Sequence, residues 1–214
     1  MPDSLPISGY VLAGGRSSRM GADKALLQLA GKPLIAHAVA KLRRLCADVH
    51  TLSATPTLAA YAPLVPDLHP NCGPVGGVEA ALAHSSRDWN LILPIDVPFL
   101  PTAILQTLVA DTVARGETTR VGMLALDGRP QPAVCLLHKD ISPSIAAAVA
   151  LEELRLLQVL EAAANVFALQ HNHPLDQVLR FHPIPADAQS LWFANLNTPQ
   201  DLAVAEANIA ALDT

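Results

Sequence analysis

Two short apolar segments, each followed at once by a glycine or proline loop, constrain the fold of this chain most strongly. Residues 7–13 (ISGYVLA) run into Gly14-Gly15, and residues 89–94 (WNLILP) run into a proline-bounded loop that carries Asp96. Continuous apolar runs of this length are typical of strands that are buried on both faces of a parallel sheet. Apolar residues at helical spacing between such strands predict crossover helices.

Strand and helix patterns alternate along the chain and predict an α/β fold. We expect one Rossmann-like, three-layer domain over 1–214, in which a mainly parallel, mixed sheet lies between helices. Further strands are expected at 48–53, 120–126, 132–137, 165–170 and 192–196, with a brief one ending near Asp67. Helices are expected at 33–45, 101–115 and 142–163, from the glycines at 73–77 to about residue 84, and after an N-cap at Thr198. Sheets of this kind bind ligands beyond the carboxyl ends of their strands.

The composition excludes several classes of protein. Of the 214 residues, 51% are hydrophobic and only 15% are charged, which excludes a disordered chain. The formal net charge of −5 argues against nucleic acid as a partner. No apolar run is long enough to span a membrane, and no signal peptide is recognised. The three cysteines lack metal-binding spacing, so we expect reduced thiols and a cytoplasmic location. We also expect a monomer or weak oligomer.

The loop after the first strand predicts phosphate binding. Gly14 and Gly15 let the backbone approach a ligand and turn its N–H groups inward, and Arg16, Arg19 and Lys24 add positive charge in an acidic chain. The loop matches neither the P-loop nor the dinucleotide-binding glycine pattern. The alternative interpretation is a glycine-rich turn with solvated arginines.

Asp96 is a candidate metal ligand. It follows a buried strand directly and is bracketed by Pro94 and Pro98, so its carboxylate would be held rigidly. Mg²⁺ prefers one or two carboxylates together with substrate phosphates and water. The alternative is an aspartate that only makes a turn or caps a helix. Gly76 and its neighbours either let the chain pass close to a base or ribose or merely turn into the next helix.

Four segments in the expected order resemble the molybdenum cofactor guanylyltransferase family. They span nearly the whole chain and read LAGGRSSRMGADK with GKPL at 12–34, NCGPVGG at 71–77, PIDVPF at 94–99 and NLNTPQDL at 195–202. The resemblance implies a fold of the nucleotide-diphospho-sugar transferase type. It also implies transfer of GMP from Mg²⁺-GTP to the phosphate of the molybdenum-pterin cofactor, with release of pyrophosphate.

The resemblance also assigns roles by position. Lys24, Asp96 and Arg19 would be catalytic, and Asp96 would bind Mg²⁺. The nucleotide would contact Leu12, Ala13, Gly14, Gly15, Lys24, Ser53, Asp67, Gly76 and Asp96. The pterin side would be formed by Asn195, Asn197 and Arg155. The chain departs from the family twice, because Ser53 stands where asparagine is usual and Arg155 stands alone where arginines are usually paired.

Other functions are compatible with the same residues. A cytidylyltransferase for the same cofactor, or a transferase for another phosphorylated metabolite, would use the same chemistry, although Gly14 favours guanylyl transfer over the alanine-containing cytidylyl loop. A non-catalytic accessory protein that binds the nucleotide or the cofactor would not need both Lys24 and Asp96. Cofactor-insertion proteins and molybdoenzymes are conceivable further partners.

Overall fold

The computed structural model describes residues 6–13, 23–184 and 190–213. The strands are β1 Ile7–Leu12, β2 Gln28–Leu29, β3 Lys32–Pro33, β4 Asp48–Leu52, β5 Leu64–Val65, β6 Trp89–Pro94, β7 Val121–Leu126, β8 Arg129–His138 and β9 Leu179–Pro183. The α-helices are α1 Leu34–Arg43, α2 Gly73–His84, α3 Thr102–Val113, α4 Ser142–Ala150, α5 Leu156–His171, α6 Leu175–Val178 and α7 Pro199–Glu206. Short 3₁₀ helices occur at Lys24–Leu26, Pro56–Ala60, Lys139–Ile141, Ser190–Phe193 and Ile209–Ala211. No α-helix in these ranges is long and apolar enough to cross a membrane.

A seven-stranded sheet forms the centre of the fold. Its strand order is β5-β4-β1-β6-β8-β7-β9, and β8 runs antiparallel to both of its neighbours while the other strand pairs are parallel. The predicted α/β class with a mainly parallel, mixed sheet is therefore confirmed. Strands β2 and β3 form a separate antiparallel hairpin beside α1.

Helices cover both faces of the sheet and bury both faces of its central strands. On β1, Val11 packs into a core shared with α1 and α3, whereas Tyr10 packs into a core shared with α2, α4 and α5. Successive strand residues point to opposite faces, so a strand covered on both sides needs apolar residues at nearly every position. This is the arrangement that the runs at 7–13 and 89–94 predict.

Three sequence-based expectations about elements are wrong. The strand expected at 165–170 lies inside α5, where Leu160, Ala163, Ala164, Phe167 and Ala168 are buried at helical spacing. The helix expected at 142–163 is two helices, separated by an exposed turn at 151–155. The segment 192–196 contains the end of a 3₁₀ helix and no strand. The last strand is instead β9, which pairs with β7. Short apolar runs do not distinguish helix from strand by their period alone.

The face of α1 that carries His37 and Lys41 is buried rather than solvated. Lys41 is 3% exposed, and its Nζ atom donates to the backbone oxygen of Asp213 at 3.2 Å. Burial lowers the pKa of Lys41. The His37 ring hydrogen-bonds to the backbone oxygen of Leu29 at 2.9 Å. The β2–β3 hairpin and the C-terminal segment thus cover this face of the helix, although it carries polar side chains.

Candidate active site

Lys24 joins three distant parts of the chain at the carboxyl edge of the sheet. Its Nζ atom donates to Asp96 Oδ2 at 3.1 Å and to Asn197 Oδ1 at 2.6 Å. These partners lie 72 and 173 positions away in the sequence. Lys24 begins a 3₁₀ helix whose N-cap, Asp23, accepts the N–H of Ala25. The contact brings together a lysine, a carboxylate and an amide oxygen, which can bind phosphate and a hard cation.

The backbone around Asp96 is fixed from two sides. The preceding residue, Ile95, donates its N–H to the backbone oxygen of Leu12 at 3.3 Å, which links the ends of β6 and β1. Leu196 donates its N–H to the backbone oxygen of Asp96 at 3.1 Å. The Asp96 side chain keeps 25% of its surface exposed, so its carboxylate is reachable from solvent. The N-cap of the next helix, α3, is Pro101, so Asp96 does not cap that helix.

A capping box presents Asn197 to Lys24. Asp201 Oδ2 accepts the N–H groups of Asn197 and Thr198 at 2.8 Å each, and Thr198 Oγ1 accepts the N–H of Asp201 at 3.1 Å. The predicted N-cap at Thr198 is confirmed. The N–H of Asn197, followed by the hydroxyl of Thr198, holds the pKa of Asp201 below its usual value. The box therefore fixes the turn that points the Asn197 amide at the lysine.

The start of the predicted phosphate loop is visible, but its centre is not described. Leu12 ends β1, and Ala13 follows it as a buried residue. A Cβ atom on Gly77 would lie 2.8 Å from Leu12 Cδ2, so the bare glycine lets α2 pack closely on the end of β1. Gly14, Gly15 and Arg19, together with Arg16, lie outside the described residues.

Ser53, Asp67 and Gly76 lie where β4, β5 and α2 meet. Ser53 donates its N–H to the backbone oxygen of Val65 at 3.1 Å, and its hydroxyl accepts the N–H of Thr55 at 3.0 Å. A Cβ atom on Gly76 would lie 4.0 Å from Asp67 Cγ, so this glycine, which lies inside α2, borders the Asp67 carboxyl. Partial desolvation of its carboxyl and, after it, the negative charge of Glu79 raise the pKa of Asp67, although the residue as a whole is exposed.

Asn195 and Arg155 do not join the Lys24 contact. Asn195 lines a neighbouring pocket of about 280 Å³, together with Phe99, Leu196 and Asp201. Arg155 is exposed at the start of α5, and its side chain makes no hydrogen bond or ion pair to any residue that the structure describes. The structure therefore separates the residues expected on the pterin side into Asn197, which contacts Lys24, and two that do not.

The oxygen atoms near Lys24 suit a hard divalent cation that is completed by substrate. The described ranges contain no cluster of three or more His, Cys, Asp or Glu side chains that could hold a metal by themselves. Asp96 and Asn197 each direct one oxygen at the lysine ammonium. Mg²⁺ commonly takes one or two carboxylates and obtains its other ligands from phosphates and water, so this donor set fits.

Comparison with known proteins identifies the family. Residues 9–172 match the family model of the MobA-like NTP transferase domain. The chain belongs to the MobA-like NTP transferase family. It is similar to the molybdenum cofactor guanylyltransferase of Serratia proteamaculans, with 32% identity and 91% of each chain covered. The enzyme of the same name from Rhizobium johnstonii is 31% identical over 98% of this chain and 96% of its own. This MobA-like NTP transferase is thus a nucleotidyltransferase.

Solved structures agree with this fold. Molybdopterin-guanine dinucleotide biosynthesis protein A from Archaeoglobus fulgidus superposes with a TM-score of 0.74 and 23% identity, covering 96% of this chain and all of its own. A CMP:2-keto-3-deoxy-manno-octonic acid synthetase complexed with CTP superposes with a TM-score of 0.66 and 13% identity, covering 96% and 98% of the two chains. The fold of this MobA-like transferase is therefore of the nucleotide-diphospho-sugar transferase type.

The sequence did not single out Glu79 and His69, which lie beside Asp67. Glu79 is 4% exposed, and the distance between its Oε2 atom and His69 Nδ1 is 2.9 Å. Glu79 is the one acidic residue of α2, which otherwise carries no charged side chain before His84 at its end. The sequence did contain one signal for Glu79: it is a single acidic residue among small and apolar residues of a helix. A carboxylate buried in such a helix needs a hydrogen-bonding partner.

Proposed function

We propose that this chain transfers GMP from Mg²⁺-GTP to the phosphate of the molybdenum-pterin cofactor, forming the guanine dinucleotide and pyrophosphate. Two things support the proposal: relatives that carry the name molybdenum cofactor guanylyltransferase cover nearly the whole chain, and the lysine–carboxylate contact stands at the carboxyl edge of the sheet. The single observation that carries it is the Lys24 ammonium, which hydrogen-bonds to Asp96 and Asn197 and so places a positive charge where a triphosphate would enter.

The reaction requires positioning and charge neutralisation rather than a protein nucleophile. An oxygen of the cofactor's phosphate attacks the α-phosphorus of GTP, and the bond from that phosphorus to the oxygen bridging to the β-phosphate breaks. The electron pair leaves with pyrophosphate. Lys24 turns from Asp96 to the triphosphate and balances its charge, and Arg19 adds a second positive group. Holding donor and acceptor in line supplies much of the rate enhancement.

The nucleotide side of the site is assigned to the ends of β1, β4 and β5. Leu12, Ala13, Gly14 and Gly15 would approach the nucleotide through their backbones. Ser53, Asp67 and Gly76 would surround the nucleoside. Guanine presents N–H donors at N1 and N2 side by side, and one carboxylate can accept both, so Asp67 is the residue proposed to recognise the base.

The acceptor side is assigned to the C-terminal segment. Asn197 and Asn195 would face the pterin, and Arg155 would reach its phosphate from the start of α5. Asp96 would hold Mg²⁺, with Asn197 near it. When bound there, Mg²⁺ would neutralise phosphate charge and favour departure of pyrophosphate.

We propose a single nucleotidyltransferase domain over 1–214, because elements from β1 to α7 contribute to two cores on the faces of one sheet. A reducing, cytoplasmic location suits its three free cysteines. We propose a monomer or weak oligomer, with cofactor-insertion proteins and molybdoenzymes as recipients of the product.

A comparison of nucleotides tests this function. Pyrophosphate release should be measured with GTP, CTP, ATP and UTP in the presence of Mg²⁺ and the molybdenum-loaded pterin. We expect release with GTP and much less with the other three, and titration calorimetry should show tighter binding of Mg²⁺-GTP than of Mg²⁺-CTP. Equal or tighter CTP binding would instead support a cytidylyltransferase for the same cofactor. Nucleotide binding without any pyrophosphate release would contradict the transferase reaction.

A further inference from the structure

We propose that Glu79 and His69 form a positioning pair that sets the base preference of the nucleotide site by holding Asp67 in place. The inference rests on the proposed function, because it assumes that Asp67 recognises the base. Lys24 and Asp96 lie in the four segments that carry the family resemblance, whereas His69 and Glu79 lie outside them.

The first observation is the burial of Glu79 inside α2. Its side chain is 5% exposed, whereas the side chain of its partner His69 is 61% exposed. A carboxylate in such surroundings is costly unless a donor satisfies it. The His69 Nδ1–H group, at 2.9 Å, supplies that donor and carries a positive charge when the ring is protonated.

The second observation concerns the segment 66–71, which connects β5 to α2. All six residues are exposed. Among the described residues, the His69–Glu79 contact is the one hydrogen bond from this segment into a helix or strand. The N-cap residue of α2, Cys72, also donates its Sγ–H to the backbone oxygen of Pro70 at 3.7 Å. Asp67 lies in the same segment, two positions before His69. Fastening His69 to the helix therefore restricts the position of Asp67.

The third observation is that Asp67, Gly76 and Glu79 share one side of α2. Gly76 and Glu79 are three residues apart on the helix, which places them on adjacent turns of one face. The Asp67 carboxyl borders Gly76. The negative charge of Glu79 acts on Asp67, and its hydrogen bond to His69 offsets part of that charge. The pair thus controls both the place and the electrostatic surroundings of the proposed base acceptor.

Base selectivity separates this role from a merely structural one. Two ratios are measured: kcat/KM for GTP divided by kcat/KM for ATP, and kcat/KM for GTP divided by kcat/KM for ITP. The base of ITP lacks the N2 amino group of guanine. His69→Ala and Glu79→Gln should each lower these ratios about tenfold, the size expected for a charge-assisted hydrogen bond, while kcat at saturating GTP changes little. Because the two side chains act as one unit, the effects should not add.

A double variant separates an effect on selectivity from an effect on folding. Breaking a buried pair leaves an unpaired charge, whereas replacing both partners with non-ionic residues is often neutral for stability. His69→Ala/Glu79→Leu should therefore fold with a melting temperature near that of the parent and still lose GTP preference. Asp48→Asn is the matched control, because it weakens the Asp48–Arg87 ion pair at the amino edge of the sheet and should leave selectivity unchanged.

Two outcomes distinguish failure of this inference from failure of the proposed function. If the parent prefers GTP and the double variant keeps that preference, the pair only packs and this inference alone is overturned. If the parent binds GTP no better than ATP in calorimetry, both the proposed preference for guanine and the positioning role of the pair are contradicted. The calorimetric comparison does not depend on turnover, so it decides the question even for a parent that releases no pyrophosphate.

Discussion

Asp96 and Lys24 form an ion pair whose value lies in chemistry rather than in stability. Their side chains are 25% and 18% exposed, and ion pairs that water still reaches contribute on the order of 1 kcal/mol to folding. Breaking the pair should therefore leave the fold almost unchanged. Substitutions at either residue can consequently be interpreted as effects on the reaction.

Asp96→Asn tests the proposed metal ligand. The amide keeps the size of the side chain but removes its charge, so we expect an unchanged melting temperature and pyrophosphate release reduced at least about tenfold. Raising the Mg²⁺ concentration should recover part of the rate, because weakened metal affinity is overcome by mass action. Both quantities should be measured on the same sample. A variant with a lowered melting temperature and full activity would contradict the assignment.

Lys24→Ala tests the proposed triphosphate contact. Loss of a charged donor to phosphate should lower kcat/KM for GTP by about tenfold to a hundredfold. Lys41 cannot serve as the control, because it is buried against Asp213. Lys139 is suitable, since its exposed side chain pairs with Asp88 and it directly follows β8, whose end lies beside the start of β6 at the opposite edge of the sheet. Equal kcat/KM values in the Lys24→Ala and Lys139→Ala variants would contradict the proposed contact between Lys24 and the triphosphate.

At the scale of elements, the segment from Asn197 to α7 couples helix capping to the active site. Asp201 accepts N–H groups from both Asn197 and Thr198, whereas the Thr198 hydroxyl accepts one N–H from the described residues, that of Asp201. The two side chains of one capping box therefore differ in their link to Lys24. This difference permits a matched pair of variants.

Thr198→Ala and Asp201→Ala should destabilise the protein alike but differ in activity. Each removes part of the capping box, which is worth about 0.5–2 kcal/mol. Asp201→Ala also frees the Asn197 turn, so it should reduce GMP transfer several-fold more than Thr198→Ala does. Urea denaturation and pyrophosphate release give the two quantities. Equal activities at equal stabilities would show that the turn does not position Asn197.

Two of the three glycines at 73–77 lie where α2 packs too closely on its neighbours to leave room for a side chain. The sequence expected them to lead into a helix, but α2 begins at Gly73 itself. A side chain at Gly77 would meet Leu12, and one at Gly76 would meet Cys72. These two glycines are therefore explained by close packing of α2 on the end of β1 and on its own preceding loop.

At the scale of the whole molecule, several histidines should make folding sensitive to mild acid. Burial lowers the pKa values of His50, His138 and His182, although a carboxylate near each one opposes the shift. The unfolded chain, with histidine pKa values of about 6.5, then binds more protons than the folded protein just below that pH. The free energy of unfolding should therefore fall as the pH falls from about 6.5 through the lowered pKa values of the folded state.

Chemical denaturation at steps from about pH 7.5 to about pH 5 measures this dependence. The loss should precede that caused by carboxylates such as Asp201 and Asp213, whose lowered pKa values destabilise the fold only at more acidic pH. Replacing His50 with Gln should reduce the slope. Stability that stays constant or rises between about pH 6.5 and 5 would contradict the prediction.

The sequence by itself determined the features that arise from neighbouring residues. Apolar runs at 7–13 and 89–94 specified buried strands, because a strand covered on both faces cannot alternate with polar residues. The residues that end these strands indicated where a site would form. Thr198 and Asp201, three positions apart, specified a helix N-terminus through local hydrogen bonds.

Only the tertiary structure decided which distant residues meet. Asn197 reaches Lys24 across 173 positions, Glu79 is buried under the loop that carries His69, and Lys41 is covered by the C-terminal segment. The strand β9 was missed because its pairing with β7, rather than its own pattern, makes it a strand. Such contacts depend on how whole elements pack, and local propensity and periodicity carry no information about the partner.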